Sequence, residues 1–427
     1  MKTFCALSFL LLLPFVLFGQ EKNEKPIQLY GFIRNALYAD SYRGVDATQD
    51  QFYLLPLYAG TDANGDHINE DFQSNMTAIA SRLGTRITGP EVLGAKSSAQ
   101  IEFDFGGLTS LYPSVFRIRH AYMKLNWEQS ALTVGQTWHP FWGDAICPHV
   151  ASLNTGAPFQ PFNRSPQVRF DYNLNESLSI IASAVYENQY TSKGFYTIVN
   201  DVDKTMPLRY SGLPELVLMA KYKHNNITLG MGAEYKSILP IDITSPDGDV
   251  SDNIDNYKTS ITNNSYGLVA YGNYTKDKLY ILLKGVYGQN LTHLTMPGGY
   301  GVKSVDATTG AYEYTNYNNY AALANITYGK KWQAGLFLGY GANMGTSDAL
   351  VAIDGAAKTA GTFTSVESMY RIAPSATLNV SSFRISAEYE ITSADYGSGT
   401  MNLSDGLYSS TVNATNHRLL IMMMYLF

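Results

Sequence analysis

From residue 383 the chain alternates with a period of two. Phe383, Ile385, Ala387, Tyr389 and Ile391 share one parity, and Arg384, Ser386, Glu388, Glu390 and Thr392 share the other. Successive side chains of an extended strand point to opposite faces, so this segment reads as a strand with one oily and one polar face. The same alternation sets Ala99, Ile101, Phe103 and Phe105 against Lys96, Gln100, Glu102 and Asp104. It sets Leu178, Ile180, Ala182, Ala184 and Tyr186 against Ser179, Ser183 and Glu187, and Ile227, Leu229, Met231, Ala233 and Tyr235 against Thr228, Glu234 and Lys236. Extended along the chain, the pattern predicts sixteen strands, near 27–40, 75–88, 95–106, 115–127, 130–138, 166–173, 177–190, 214–223, 226–239, 261–275, 278–292, 316–329, 331–343, 364–379, 382–394 and 414–427. The connections alternate in length. Those at 89–94, 128–129, 174–176, 224–225, 276–277, 330 and 380–381 are tight, whereas the others mostly run to about 20 to 30 residues. Tight turns at one end and long loops at the other are the mark of an outer-membrane barrel. The expected fold is all-β: a single 16-stranded antiparallel transmembrane β-barrel over 20–427, with short periplasmic turns and long extracellular loops.

Aromatic residues cluster at the tight turns. Trp127, Tyr172, Tyr222, Tyr274 and Tyr328 precede them and Tyr280 and Trp332 follow them, as expected of a periplasmic aromatic girdle. Two segments break the pattern. Between Phe116 and Trp127 the apolar parity switches, leaving the faces of Arg117 and Arg119 open, and Pro374 removes a ladder donor from a predicted strand.

Composition narrows the class further. Charged residues make up 15% of the 427, while 32 Tyr and 36 Gly favour strands and turns over helices. No apolar run beyond the first twenty residues is long enough for a membrane helix. Residues 1–19, with Lys2, an apolar stretch from Phe4 to Phe18 and Gly19, read as a secretory signal for export to the outer membrane of a Gram-negative cell. Its removal takes Cys5 and leaves Cys147 as the lone thiol, so no internal disulfide is expected. The formal net charge is −6, which argues against a nucleic-acid partner.

A barrel of sixteen strands leaves an aqueous channel unless something plugs it. No plug domain is expected, and a lumen lined by Ser, Thr, Asn, Gln and charged residues lets polar solutes keep most of their water. Inward parity places Arg34, Arg82, Arg86 and Arg169 on the wall, facing Glu102, Asp104, Asp171 and Glu187. Two readings compete: internal ion pairs that stiffen the wall, or a basic track that attracts anions through the planar donors of Arg. The segment 139–166, with Pro140, Phe141, Trp142, Pro148, Pro158, Phe159, Pro161 and Phe162, is stiff and partly apolar. It is expected to fold inward as the constriction, with Arg164 at its rim.

Rival chemistries find little support. His139, Cys147 and His149 match no standard zinc spacing. Asp62-Ala63-Asn64-Gly65-Asp66 imitates the start of a calcium loop, but His67 and Gln73 occupy the positions of the turn Gly and the closing Glu. Neither Gly-x-Ser-x-Gly nor His-Glu-x-x-His occurs, so no catalytic residues and no cofactor or metal are expected.

Several motifs resemble those of the DcaP-like outer-membrane porins, in their Bacteroidetes-type form. They are Gly31-Phe32-Ile33-Arg34-Asn35, Ser81-Arg82-Leu83-Gly84, Arg117-Ile118-Arg119-His120-Ala121-Tyr122, Val134-Gly135-Gln136-Thr137-Trp138 and Asn163-Arg164-Ser165-Pro166-Gln167-Val168-Arg169. The likeness is clearest over 27–190; the C-terminal half shares the barrel rhythm. It implies a homotrimer in outer-membrane lipid that passes small, often negatively charged molecules, with Arg34, Arg82, Arg117, Arg119, Arg164 and Arg169 at the pore side or constriction. The terminal aromatic, Phe427, matches the insertion signal of such chains. The alternatives are a substrate-specific channel for small organic acids, and an enzyme or adhesin on the same scaffold.

Overall fold

The computed structural model describes residues 26–45, 48–106, 115–144, 146–195, 198–199, 202–203, 206–250 and 254–427. Residues 1–19, expected from the sequence to be a signal, lie outside them. Sixteen antiparallel strands form the wall: β1 (Ile27–Asp40), β2 (Gln73–Thr77 continuing as Arg82–Val92), β3 (Ala95–Asp104), β4 (Arg117–Asn126), β5 (Ser130–Trp138), β6 (Arg164–Asn173), β7 (Leu178–Val185), β8 (Glu215–His224), β9 (Ile227–Ile238), β10 (Asn263–Lys276), β11 (Leu279–Gln289), β12 (Tyr312–Gly329), β13 (Trp332–Thr346), β14 (Val366–Val380), β15 (Phe383–Met401) and β16 (Tyr408–Leu426). Each pairs with the next, and β16 pairs with β1, so the sheet has no free edge.

The seam closes through the terminal residue: Gly31 N–H donates to Phe427 O at 3.0 Å, and Phe427 N–H donates back to Gly31 O at 3.1 Å. A Cβ on Gly31 would lie 2.3 Å from the carbonyl of Arg82 and 2.9 Å from the Phe427 ring, so the closure needs glycine there.

The period-two pattern has its physical cause in the two solvents. Ile33, Leu37, Leu83, Met123, Val168, Leu218, Met231, Leu283, Ile385 and Met423 are exposed on the outer face, while their strand neighbours Arg34, Tyr38, Glu102, Glu234, Lys284 and Glu388 are buried inside. Tyr172, Tyr222, Tyr328 and Trp332 are exposed beside the tight turns. Tyr280 is not part of that outer girdle: its hydroxyl donates inward to the Cys147 carbonyl at 2.7 Å.

The parity switch in β4 is a bulge. Glu102 pairs with His120 but Phe103 with Ile118, so Arg119 is the extra residue. Arg117, Arg119 and His120 consequently all turn inward, where their carboxylate partners stand. At Pro374 the strand runs on without a shift: Ile372 faces Ile391 and Ser375 faces Glu388 in one register, and only the ladder contacts between them are missing.

The interior corrects one expectation. The bore is not wet throughout, because two long loops fold into it. Phe52, Leu54 and Leu55 from the first loop and Phe141, Trp142, Phe159 and Phe162 from the third form one apolar cluster with wall residues such as Val217, Val269, Leu282, Phe337 and Ala373. Those inward positions on β7 to β15 are apolar because they meet loop side chains instead of water.

Candidate functional site

Charged wall residues hold the two loops in place. Arg371 donates to the carbonyls of Ala157 (2.7 Å) and Leu54 (2.5 Å), and so bridges both loops. Lys284 donates to the Trp142 carbonyl at 2.7 Å. The Glu388 carboxylate accepts from the backbone N–H groups of Ala151 at 2.7 Å and Ser152 at 3.0 Å. Arg418 makes a two-pronged pair with Asp40 and donates to the Asp50 carbonyl at 2.8 Å. Arg34 is buried under the loops, donating to Gln51 Oε1 at 2.8 Å and to the Ala151 carbonyl at 3.0 Å. The loop carbonyls of Leu54, Asp50, Trp142, Ala151 and Ala157 thus each gain a charged donor, which sets loop position tightly.

The opposite side, along β1 to β6, carries the other basic residues expected from the sequence. Arg117 grips Asp104 through two bonds of 2.9 and 2.7 Å, and Arg119 joins Glu102 and Asp104 at 2.7 and 2.8 Å. Arg82 lies 3.4 Å from Glu102. Tyr30, Gln100 and Tyr122 extend this network through bonds of 2.9, 2.7 and 2.9 Å. Arg86 is exposed and stacks over Tyr30 at 4.2 Å.

Arg164, the first residue of β6, is fully buried against the rings of Trp138 at 4.5 Å and Phe162 at 5.3 Å. Its Nε and Nη1 have no hydrogen-bond partner among the described residues. Arg119 approaches the same Trp138 ring at 6.0 Å, and Trp138 stacks on Trp142 at 4.1 Å. Further down β6, Arg169 is neutralised: it pairs with Asp171 and Asp144, each at 2.7 Å, and Lys221 also reaches Asp144, at 3.2 Å. Partial burial works to raise the Asp144 carboxyl, but the Arg169 guanidinium and then Lys221 override it and hold that group far below the usual carboxylate range.

Of the residues expected to line the pore, the fold therefore brings together Arg82, Arg117, Arg119, Glu102, Asp104 and Arg164. Arg169 forms a separate group, and Arg34 sits under the loops. Two polar cavities occupy the tight-turn end: one of about 490 Å³ lined by residues including Tyr122, Lys124, Asp144, Arg169 and Lys221, and one of about 330 Å³ lined by His149, Gln333, Thr377, Arg384 and Ser386 among others. His139 does not group with Cys147 and His149. It meets Glu215 instead, while His149 stacks on Tyr280 at 3.9 Å. Asp62 is satisfied by its own turn, accepting from the N–H groups of Asn64 and Asp66 at 2.8 and 3.0 Å.

The sequence pattern does not single out Arg371, Arg418, Lys284 or Glu388 as loop anchors; Glu388 reads there only as part of the polar face of a strand. The run Phe52-Tyr53-Leu54-Leu55 inside a supposedly external loop was the available signal that this loop turns inward.

No protein-family model matches the chain, and no curated protein matches it. Solved structures do resemble it. The outer membrane channel DcaP of Acinetobacter baumannii aligns with a TM-score of 0.63 and 16% identity over 94% of this chain and 97% of that one. Outer-membrane expressed OmpT of Vibrio cholerae gives 0.53 and 11% over 96% and 100%. The anion-selective porin from Comamonas acidovorans gives 0.51 and 12% over 94% and 99%. At such identities the likeness concerns the fold: this chain has the architecture of an outer-membrane porin.

Proposed function

We propose that the protein is an outer-membrane porin that passes small polar solutes and favours anions, carboxylates among them. The observation that carries this reading is a charge imbalance on one side of the bore. Five guanidinium groups, from Arg82, Arg86, Arg117, Arg119 and Arg164, share that side with the two carboxylates of Glu102 and Asp104. Ion pairing consumes part of this charge, and the excess remains to attract anions. Arg164 presents unpaired N–H groups against a hydrophobic plate, a setting that strengthens a carboxylate contact. The loop 139–166 serves as the constriction, and export by the signal 1–19 and assembly as a homotrimer complete the proposal. The chemistry is passage, with no catalytic role assigned to any residue. The motif likeness over 27–190 also favours the Bacteroidetes-type branch of the DcaP-like porins.

A second reading, a narrow channel dedicated to small organic acids, is favoured by the loops that fold into the bore and pack on its wall. Liposome-swelling rates test the first reading: a small dicarboxylate should enter faster than a neutral sugar of equal size, and Arg82→Ala combined with Arg164→Met should bring the two rates together. Equal uptake of both solutes by wild type removes the anion preference. Single-channel recording separates the two readings, since a dedicated channel conducts few ions and is blocked by its acid.

A further inference from the structure

A second polar cluster lies where the third loop meets the loop ends of β8, β9 and β11. His139 opens the third loop, Glu215 opens β8, Glu234 sits near the loop end of β9, and His293 lies in a short 3-10 turn, Leu291–Leu294, that follows β11. All four are at most 3% exposed. One donor atom from each falls within 4.8 Å of the other three. His139 Nε2 is 2.7 Å from Glu215 Oε1 and 4.0 Å from Glu234 Oε2, while His293 Nε2 is 3.3 Å from Glu215 Oε2 and 3.7 Å from Glu234 Oε1.

The 2.7 Å contact is a hydrogen bond; the other three separations are poor hydrogen bonds and good donor spacings. Glu215 Oε2, Glu234 Oε2 and His293 Nε2 have no hydrogen-bond partner among the described residues, although each is buried and aimed into the cluster. Burying such atoms without partners is costly, and more so when they are charged. Four donors bound to zinc at about 2.0–2.2 Å in a tetrahedron stand about 3.3–3.6 Å apart, so separations of 3.3, 3.7 and 4.0 Å need small adjustments only. The 2.7 Å contact must open by about half an ångström.

We propose that His139, Glu215, Glu234 and His293 form a binding site for one divalent transition-metal ion, with zinc the best match to two imidazoles and two carboxylates. The ion neutralises two carboxylates that, among the described residues, have only His139 and His293 within ion-pair distance, while Lys236 faces Glu187 at 3.7 Å. Lys236 Nζ donates to His293 Nδ1 at 2.6 Å, so metal binding at Nε2 requires the ring proton to move to Nδ1 and the ammonium to turn to its other acceptors, Ser192 Oγ at 2.8 Å and the Asn290 carbonyl at 2.9 Å. His139 Nδ1 accepts a long bond from Phe141 N–H at 3.2 Å, and this contact is lost when the ring proton moves to Nδ1 on metal binding.

The site is a staple. It ties the third loop and the turn after β11 to the wall, where Phe162 N–H already donates to the Leu294 carbonyl at 2.8 Å and Asn163 Nδ2 to the His293 carbonyl at 2.7 Å. It stands whichever solute crosses the barrel.

The test uses the purified full-length protein in detergent with Zn²⁺ as probe. After chelation and reloading, wild type and the exposed-loop control His67→Gln should hold one Zn²⁺ per chain by elemental analysis, and Glu234→Gln and His293→Gln should bind about 100-fold more weakly or not at all. Folding of each variant is checked by the heat-dependent gel mobility of a closed barrel. X-ray absorption on zinc-loaded wild type needs no variant and should give a first shell of two imidazole nitrogens and two oxygens near 2.0–2.1 Å. Wild type that binds no Zn²⁺ at micromolar concentration, unchanged binding in a folded Glu234→Gln protein, or a different first shell would each overturn the site.

Discussion

The guanidinium of Arg164 lies 4.5 Å over the indole of Trp138, with two of its nitrogens free of any described hydrogen-bond partner. The ring supplies attraction and excludes water, but no acceptor. On the proposed function, an anionic oxygen of a solute supplies the acceptor that this buried Arg lacks. Arg164→Met keeps the packing volume and removes the donors. The expected result is a folded barrel whose chloride preference falls and whose block by a small dicarboxylate weakens by about tenfold, the worth of a charge-assisted bond. Unchanged block in single-channel recordings would remove Arg164 from the proposed solute path.

Glu388 fixes the middle of the third loop by accepting two backbone N–H groups from Ala151 and Ser152. Hydrogen bonds to a charged group contribute about 1.5–3 kcal/mol each. Glu388→Ala should therefore release this stretch, raising mean single-channel conductance and its fluctuation without preventing barrel formation. A quiet, wild-type current trace would mean that Arg371 and Lys284 suffice to hold the loop.

The period-two alternation makes the wall legible from sequence, as in the segment from Phe383 to Thr392, although the strand runs on to Met401. Register on a two-solvent sheet is dictated residue by residue. The bulge at Arg119 was visible only as a parity switch, because its resolution depends on Glu102 and Asp104 across the ladder. The apolar packing of the loops inside the bore is less legible still. An inward Val217 or Leu282 reads as a weakened alternation until Phe141 and Trp142 arrive from a distant loop to cover it. Likewise Glu215, Glu234, His139 and His293 are separate in sequence and meet only when the barrel closes and two loops turn in.

Asp144 sets a pH response. Its carboxyl is held down by Arg169 and Lys221. A carboxyl with a lowered folded value contributes stability that is present above its unfolded value, about 3.9, and is lost as pH falls toward the folded value. The third loop should thus stay fixed from pH 7 to about 5 and loosen below about 4. Asp144 is partly open to water, so solvent screening keeps the effect modest. Asp144→Asn should remove this component of the acid-induced change in conductance and free Arg169 to increase anion preference at neutral pH. Identical pH profiles for both proteins would contradict the assignment.

The seam between β1 and β16 depends on Gly31, where any Cβ meets the Arg82 carbonyl and the Phe427 ring. Gly31→Val should destabilise the closed barrel by about 1–3 kcal/mol, as overpacking does. The check is the urea midpoint for loss of the heat-modifiable gel band in lipid vesicles; a wild-type midpoint would show that the seam tolerates a side chain.

Zero-current potential across a planar bilayer holding the wild-type protein, with a KCl gradient imposed, tests the central claim most directly. The account predicts stepwise conductance and a potential whose sign reports chloride crossing more readily than potassium, the consequence of the excess guanidinium charge along β1 to β6. A membrane that stays electrically silent, or a potential of the opposite sign, would contradict it.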